Sequence, residues 1–264
     1  MKNKPLISII TISYNSISTI EKTILSIINQ SYSNIEYIII DGGSSDSTLD
    51  VIKKYQDKIH YWVSEPDKGI YDAMNKGIKK ATGEWINFMN CGDWFYENNT
   101  IEKVIPYLDD KSQIVFGDVV YRMNFGNYIK EAESYKCLMT HMPFCHQSTF
   151  IRTSVHKENI FDISFKSSGD YNFFYQELQK GSVFKHIPII VASYDGEIGV
   201  SKNRYAAMIE NGRIWKVSEK KSWKLSLFKF YIKNQIKVFL QNILPSDILQ
   251  KREKRIWDNR YKSI

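Results

Sequence analysis

The sequence predicts an α/β fold in which a mostly parallel sheet carries helices on both faces and a basic helical tail follows. Two observations predict the body. Strand-like and helical periods alternate four times before residue 97, and 264 residues with a 43% hydrophobic fraction suffice to bury a full core. A third predicts the tail. Residues 1–212 hold 22 Lys+Arg against 25 Asp+Glu, whereas residues 213–264 hold 14 against 4. The basic excess of the chain therefore sits wholly in its last fifth, which suggests contact with something anionic.

Each element follows from its pattern. LISIITIS (6–13) is short and β-branched, the mark of a buried strand. Ser18-x-x-Glu21 has the spacing of a capping box, and Ile20, Ile24, Ile27 and Ile28 then line one helix face. IEYIIID (35–41) is a second strand, followed by a helix near 46–56 that opens on Ser, Asp and Thr. IHYWVSE (59–65) is a third strand, leading to a helix over roughly 69–81. EWINFMN (84–90) is a fourth and runs into CGDWF. Beyond residue 110 the pattern loosens. IVFGDVVYR (114–122) and FKHIPIIVASY (184–194) are strand-like, and SSGDYNFFYQELQKG (167–181) is a loop entering a helix that stops at Gly181.

Composition narrows the classes of function. The apolar content and 17 tyrosines oppose disorder, and no apolar run reaches the length of a membrane span. Residues 1–12 lack the features of a signal peptide. Three cysteines without CxxC spacing fit a reduced, cytoplasmic chain with no structural metal cluster. His141, His156 and His186 show no metal-ligand spacing. Neither GxGxxG after the first strand nor GxxxxGK[ST] anywhere is present, which disfavours dinucleotide and P-loop chemistry. What remains is a pair of acids, Asp41 and Asp93, each just past the carboxyl end of a strand, where open α/β sheets bind ligands. A nucleotide-sugar enzyme uses such a pair well: one carboxylate reads the base or ribose, and the other holds a divalent cation against the diphosphate.

Four stretches, ISIITISYNS, IEYIIIDGGSSDST, VSEPDKGIYDAMNKGIKKATGEWINFMNCGDWF and GDYNFFYQEL, together resemble family 2 glycosyltransferases of the GT-A fold. The resemblance is strong over residues 5–97, moderate to about 205, and fades in the tail. SEPDKGIYDAMNKG is most similar to bacterial transferases that build O-antigen, capsule or exopolysaccharide repeat units. The resemblance implies an inverting, metal-dependent transfer of a hexose, glucose or galactose favoured, from a UDP-sugar to a glycan on polyprenyl diphosphate. It implies Mn²⁺ or Mg²⁺ as cofactor, and a cytoplasmic protein peripheral on the inner face of the cell membrane. It assigns Ser13, Tyr14 and Asn15 to the uridine side, Asp41 with Gly42 and Gly43 to the base, and Asp72, Asn75 and Lys76 to the donor sugar and diphosphate. Asn90, Gly92 and Asp93 fall on the metal motif, with Asp93 as ligand and Asn90 where an acid often stands. Asp170 matches the general base, His146 lies on the acceptor side, and Lys202 or Arg204 would close over the diphosphate.

Plainer readings compete at several positions. Asp41 suits a turn that caps the next helix, Asp170 suits a helix N-cap, Asp72 suits a solvated helix face, and His146 suits packing. A glycan- or nucleotide-sugar-binding module without turnover and a sugar nucleotidyltransferase are the alternative functions. In the tail, Leu225, Phe228, Ile232, Ile236, Phe239 and Leu240 recur at helical spacing, with Lys224, Lys229, Lys233 and Lys237 between them. Such a helix lies in an anionic membrane interface or packs on the domain. No nucleic-acid recognition motif accompanies it. The sequence divides into a transferase domain, 1–212, and a tail, 213–264.

Overall fold

The computed structural model describes residues 4–197, 203–243 and 245–264. The strands are β1 (Ile7–Ser13), β2 (Ile35–Asp41), β3 (Tyr61–Ser64), β4 (Trp85–Phe88), β5 (Trp94–Phe95), β6 (Ile114–Met123), β7 (Gly126–Lys130), β8 (Thr149–Arg152), β9 (Phe184–Asp195) and β10 (Lys262–Ser263). The α-helices are α1 (Ile20–Ile28), α2 (Thr48–Lys54), α3 (Ile70–Lys80), α4 (Thr100–Val104), α5 (Thr153–Glu158), α6 (Gly169–Lys180), α7 (Arg204–Ile214), α8 (Lys221–Ile243) and α9 (Ser246–Asp258).

The first four strands form the parallel half of the sheet, in the order β4-β1-β2-β3. Strand β8 then pairs antiparallel with both β4 and β6. Two antiparallel steps restore the direction, so β6 and its parallel neighbour β9 point the same way as β1 and β4. The carboxyl ends of β1, β2, β4, β6 and β9 therefore share one rim. That rim is where the sheet presents Ser13, Asp41, Asn90 to Asp93, Arg122 and Asp195.

Alternation along the strands sorts two cores. Ile7, Ile9 and Ile39 face α1, meeting Ile20, Ile24 and Ile27. Ile10, Ile12, Ile38 and Phe88 face α3 and α6, meeting Tyr71, Met74, Ile78 and Phe174. Such two-sided burial is why the strands read as continuous apolar runs. The polar exceptions are bonded: Thr11 donates to the Met89 carbonyl at 2.8 Å and Ser8 to Glu36 at 2.5 Å. Gly117 sits where β6 slips register against β9. A Cβ there would lie 2.5 Å from the Ile189 carbonyl oxygen, so the bulge requires glycine.

The expected capping box at Ser18 and Glu21 does not form. Helix α1 starts behind Thr19 without a side-chain cap, and Glu21 instead bonds Lys54 Nζ and the Tyr55 hydroxyl, both at 2.7 Å. Two long side chains at the end of α2 outcompete one backbone amide for the carboxylate. The division at 212/213 falls inside α7. The tail is tied to the body at both ends. Trp223 packs on Gly212 and edge-on to Trp215, while Trp257 packs on Tyr121 and Tyr128, and β10 extends the sheet beside β7.

Candidate active site

At the carboxyl rim lies a cavity of about 440 Å³, walled by residues from the β1–α1 loop, α3, the turn after β4, the His146 turn, the start of α6 and the end of β9. It gathers seven of the residues singled out in the sequence: Tyr14, Asn15, Asn90, Gly92, Asp93, His146 and Asp170.

Asp93 is the most constrained. It is 5% exposed; its Oδ2 accepts from Gln147 Nε2 and its Oδ1 from the Asp195 amide, each at 2.8 Å. Arg122 Nη2 stands 3.9 Å from Oδ1 and the side chain donates to the Gly92 carbonyl, with its guanidinium carbon 3.4 Å from the centre of the Trp94 ring, over which Lys22 Nζ also lies at 3.4 Å. Burial pushes the Asp93 carboxyl up to about 7, against the pull of the Asp195 amide, Arg122 and Gln147. Asn90 Oδ1 is buried beside it with no hydrogen-bond partner within the protein. An orphaned amide oxygen, a buried carboxylate and the Asp195 side chain line one cavity, an oxygen-only donor set that fits a hard divalent cation.

Asp170 lines the same cavity from the first turn of α6 rather than from the loop before it. Ser168 holds the N-cap position. Asp170 Oδ1 accepts from the Tyr71 hydroxyl at 3.1 Å and the Tyr171 amide at 2.9 Å. Burial raises its pKa, only partly offset by those two donors. The preceding loop is fixed by Glu210 of α7, a buried carboxylate that accepts the amides of Lys166, Ser167 and Ser168 at 2.6, 3.0 and 2.8 Å. A carboxyl with a raised pKa, open to a cavity and held from behind, has the form of a general base.

Asp41 is not a cavity residue. It is fully buried, and its carboxylate accepts from five groups: the hydroxyls of Ser13, Ser44 and Ser64 and the amides of Gly43 and Ser44. Burial alone would raise its pKa, but these donors outweigh it and the carboxyl stays below the usual range. Ser44 Oγ in turn accepts the Asn15 amide at 2.8 Å, and Asn15 Oδ1 accepts the Ser45 amide at 2.9 Å. The left-handed backbone of Asn15, φ 45°, is thereby fixed where the chain meets the cavity. Asp41 thus shapes the rim through Ser13, Ser44 and Asn15. Gly42 leaves room for Asp67, since a Cβ there would lie 2.4 Å from Asp67 Oδ2.

Helix α3 presents Ile70, Tyr71 and Met74 to the cavity in place of the expected polar residues. Asp72 accepts the Lys68 amide, and Lys76 reaches back to the Pro66 carbonyl and Glu65. Asn75 is buried and clasps the backbone of Phe161 through both ends of its amide, at 2.8 and 2.9 Å. Lys202 lies outside the described residues. His146 does reach the cavity, but it is 5% exposed among Phe88, Phe161 and Phe174, and burial pushes its pKa down to about 3. It is a neutral ring at physiological pH. Gln147, Tyr194, Asp195, Arg122 and Glu210 were missed. The acid just past the FKHIPIIVASY strand was the available signal for Asp195.

Comparison with known proteins identifies the family and the fold. The family model for glycosyl transferase family 2 matches residues 8–173. A Mycobacterium tuberculosis PGL/p-HBAD biosynthesis glycosyltransferase is 29% identical over 213 residues, 75% of this chain and 79% of the relative. An uncharacterised glycosyltransferase of Haemophilus influenzae is 29% identical over 241 residues, 87% of this chain and 95% of that one. Among solved structures, Staphylococcus aureus TarS 1-349 in complex with UDP-GlcNAc aligns with a TM-score of 0.64 at 18% identity, over 79% of this chain and 66% of that one. The mannosyltransferase PcManGT from Pyrobaculum calidifontis, in complex with GDP-Man and Mn²⁺, aligns at 0.59 and 16% identity, over 80% and 62%. The chain thus spans slightly less than two thirds of these structural neighbours, and the shared architecture is the GT-A fold. With the family model covering well over half of its length, the chain belongs to glycosyl transferase family 2 and is a glycosyltransferase.

Proposed function

We propose that the protein is an inverting hexosyltransferase that moves glucose or galactose from a UDP-sugar to a lipid-linked glycan acceptor, in the assembly of a bacterial surface polysaccharide. The observation that carries this reading is the single cavity shared by Asp93 and Asp170. Asp170 takes the proton of the acceptor hydroxyl. The freed oxygen forms its bond to the anomeric carbon as the bond from that carbon to the diphosphate oxygen breaks on the opposite face, and the configuration inverts. Asp93, with Asn90 and Asp195, would hold Mn²⁺ or Mg²⁺. When bound, the ion neutralises charge developing on the diphosphate leaving group. Tyr14 and Asn15, on the loop organised by Asp41, line the same cavity, and in this reading they would face the nucleotide.

A thermal-shift panel tests the donor. Ligand at about 100 times its Kd stabilises by about 2.7 kcal/mol, which amounts to several degrees for a chain of this size. A UDP-sugar with Mn²⁺ is expected to give that shift. A shift confined to GDP- or dTDP-sugars refutes the uridine assignment, and no shift with any of them refutes the donor class.

The lipid-linked acceptor calls for a chain that works at a membrane. No helix among the described residues is long and apolar enough to cross one. Helix α8 instead leaves Leu225, Phe228, Ile236, Phe239 and Ile243 more than half exposed, alongside Lys224, Lys229 and Lys233. Solvent-facing apolar side chains at that density beside lysines suit an anionic membrane interface. Because the tail is docked at both ends, substitution is a cleaner probe than truncation. Changing Phe228, Ile232, Ile236 and Phe239 together to serine is expected to abolish co-sedimentation with phosphatidylglycerol-rich vesicles and leave the melting temperature in place. Undiminished sedimentation would refute membrane contact through α8.

A further inference from the structure

Among the described residues outside the active-site cavity, one side-chain cluster combines nitrogen, sulfur and oxygen donors. The ligating atoms of Glu133, Cys137 and His141 all lie within 4.8 Å of one another. The spacing Cys-x3-His was assigned no role from the sequence, and the third donor comes from upstream of the turn.

We propose that these three residues form a site for a borderline-soft divalent cation, Zn²⁺ by preference. Local folding sets the geometry. The Thr140 and His141 amides both donate to the Cys137 carbonyl, at 2.8 and 2.9 Å, closing the turn that brings Cys137 and His141 together. The Glu133 amide donates to the Pro143 carbonyl at 3.0 Å and clamps the base of the loop. Leu138, within the turn, is fully buried, and its carbonyl accepts the Tyr171 hydroxyl at 2.7 Å. The turn is therefore anchored to the core while its three donors face outward.

The chemistry follows from the donor set. His141 Nε2 lies 3.1 Å from Glu133 Oε2, so in the metal-free state one proton bridges them. A cation takes that proton's place. Nε2 then offers its lone pair, and the ring proton moves to Nδ1, 3.0 Å from Thr140 Oγ1, which accepts it. The Cys137 thiol releases its proton and binds as thiolate. Three protein ligands and one water complete a tetrahedral shell. Hard Mg²⁺ and Mn²⁺ prefer all-oxygen sites such as the one at Asp93, and thiolate with imidazole discriminates against them. The bound ion would brace residues 133–143, the segment leading to His146 and Gln147 on the cavity wall and touching Tyr171 next to Asp170.

Cobalt reports the thiolate directly. Full-length protein without a histidine tag, stripped by chelation, is titrated with Co²⁺ and then Zn²⁺. One Co²⁺ per chain is expected, with a thiolate-to-cobalt charge-transfer band in the near ultraviolet that one equivalent of Zn²⁺ erases and excess Mn²⁺ does not. Cys137→Ser should remove the band, Cys91→Ser should keep it, and Thr140→Val should weaken binding about 10-fold through the lost support of Nδ1. Circular dichroism of each variant confirms folding, and His141→Gln, an exposed change, provides a second ligand deletion that should weaken binding more than 10-fold. Absence of a charge-transfer band, or a band that survives Cys137→Ser, would overturn the site.

Discussion

Replacing Asp170 with asparagine is expected to lower kcat by about 10² to 10⁴-fold, the usual worth of a positioned base, with donor affinity unchanged. Asparagine keeps the acceptor oxygen that the Tyr71 hydroxyl and Tyr171 amide use, so the first turn of α6 and its Glu210 clamp stay in place. What disappears is the capacity to take a proton. The pH profile adds a signature that a structural role would lack. Transfer requires the carboxylate form, and burial raises the Asp170 pKa, so the rate should fall with decreasing pH earlier than an exposed aspartate would dictate. Tyr71→Phe removes a donor that favours the charged form and should move that acid limb to higher pH. Calorimetry of UDP-sugar binding beside initial rates separates the two effects. Near-wild-type turnover in Asp170→Asn, or an acid limb that ignores Tyr71→Phe, would refute the base assignment.

The parts of this site that could be read from the sequence are those fixed by short-range pattern. Buried parallel strands announce themselves as β-branched runs, and a residue just past such a run lies on the ligand-binding rim whatever the rest of the chain does. That logic located Asp93, while Asn15, Asn90 and Asp170, which line the same cavity, came from the family resemblance. The same logic placed Asp41 on the rim, but it could not see that three serines and two amides would surround the carboxylate, because Ser13 and Ser64 arrive from neighbouring strands. The residues that the resemblance implies on α3, Asp72, Asn75 and Lys76, do not line the cavity. Asp72 and Lys76 are consumed by the loop at 65–68 and Asn75 by Phe161, while the cavity face belongs to Tyr71 and Met74. A polar side chain on a helix satisfies whichever backbone group lies nearest, and only tertiary packing decides which.

Arg122, Gln147, Asp195 and Glu210 were illegible for the same reason, since each acts across at least 29 residues of sequence. Arg122 lies at the end of β6 and Asp195 at the end of β9, and their convergence on Asp93 depends on the register Arg122↔Asp195. No local period encodes that pairing. It follows from the slip at Gly117, which advances β9 relative to β6 just before the rim. Glycine 117 therefore contributes to the site without approaching it.

Asp93→Asn is expected to cost at least about 100-fold in transfer and yet to stabilise the fold. An ion at this position is worth several kcal/mol to a developing diphosphate, at about 1.4 kcal/mol per factor of ten, and the variant loses the charge that would hold it. The asparagine Oδ1 can still accept the Asp195 amide, and Gln147 can turn its amide over, giving up only a weak thiol donor from Cys145. The wild-type carboxyl, by contrast, is held near 7 because burial penalises its charge. That value lies above the pKa in the unfolded chain, so the folded state keeps the proton longer. This group favours folding below the unfolded pKa, and that contribution is lost as pH rises through about 7. With chelator present, Asp93→Asn should therefore melt higher than wild type at pH 8, by a margin that narrows as the pH falls toward the unfolded pKa. The added stabilisation that Mn²⁺ gives in the presence of UDP should be absent from the variant. A residue kept at a cost to stability is the expected signature of a site selected for binding. If the variant instead melts lower at pH 8 and retains the Mn²⁺ response, Asp93 is a structural acid and the ion is held elsewhere.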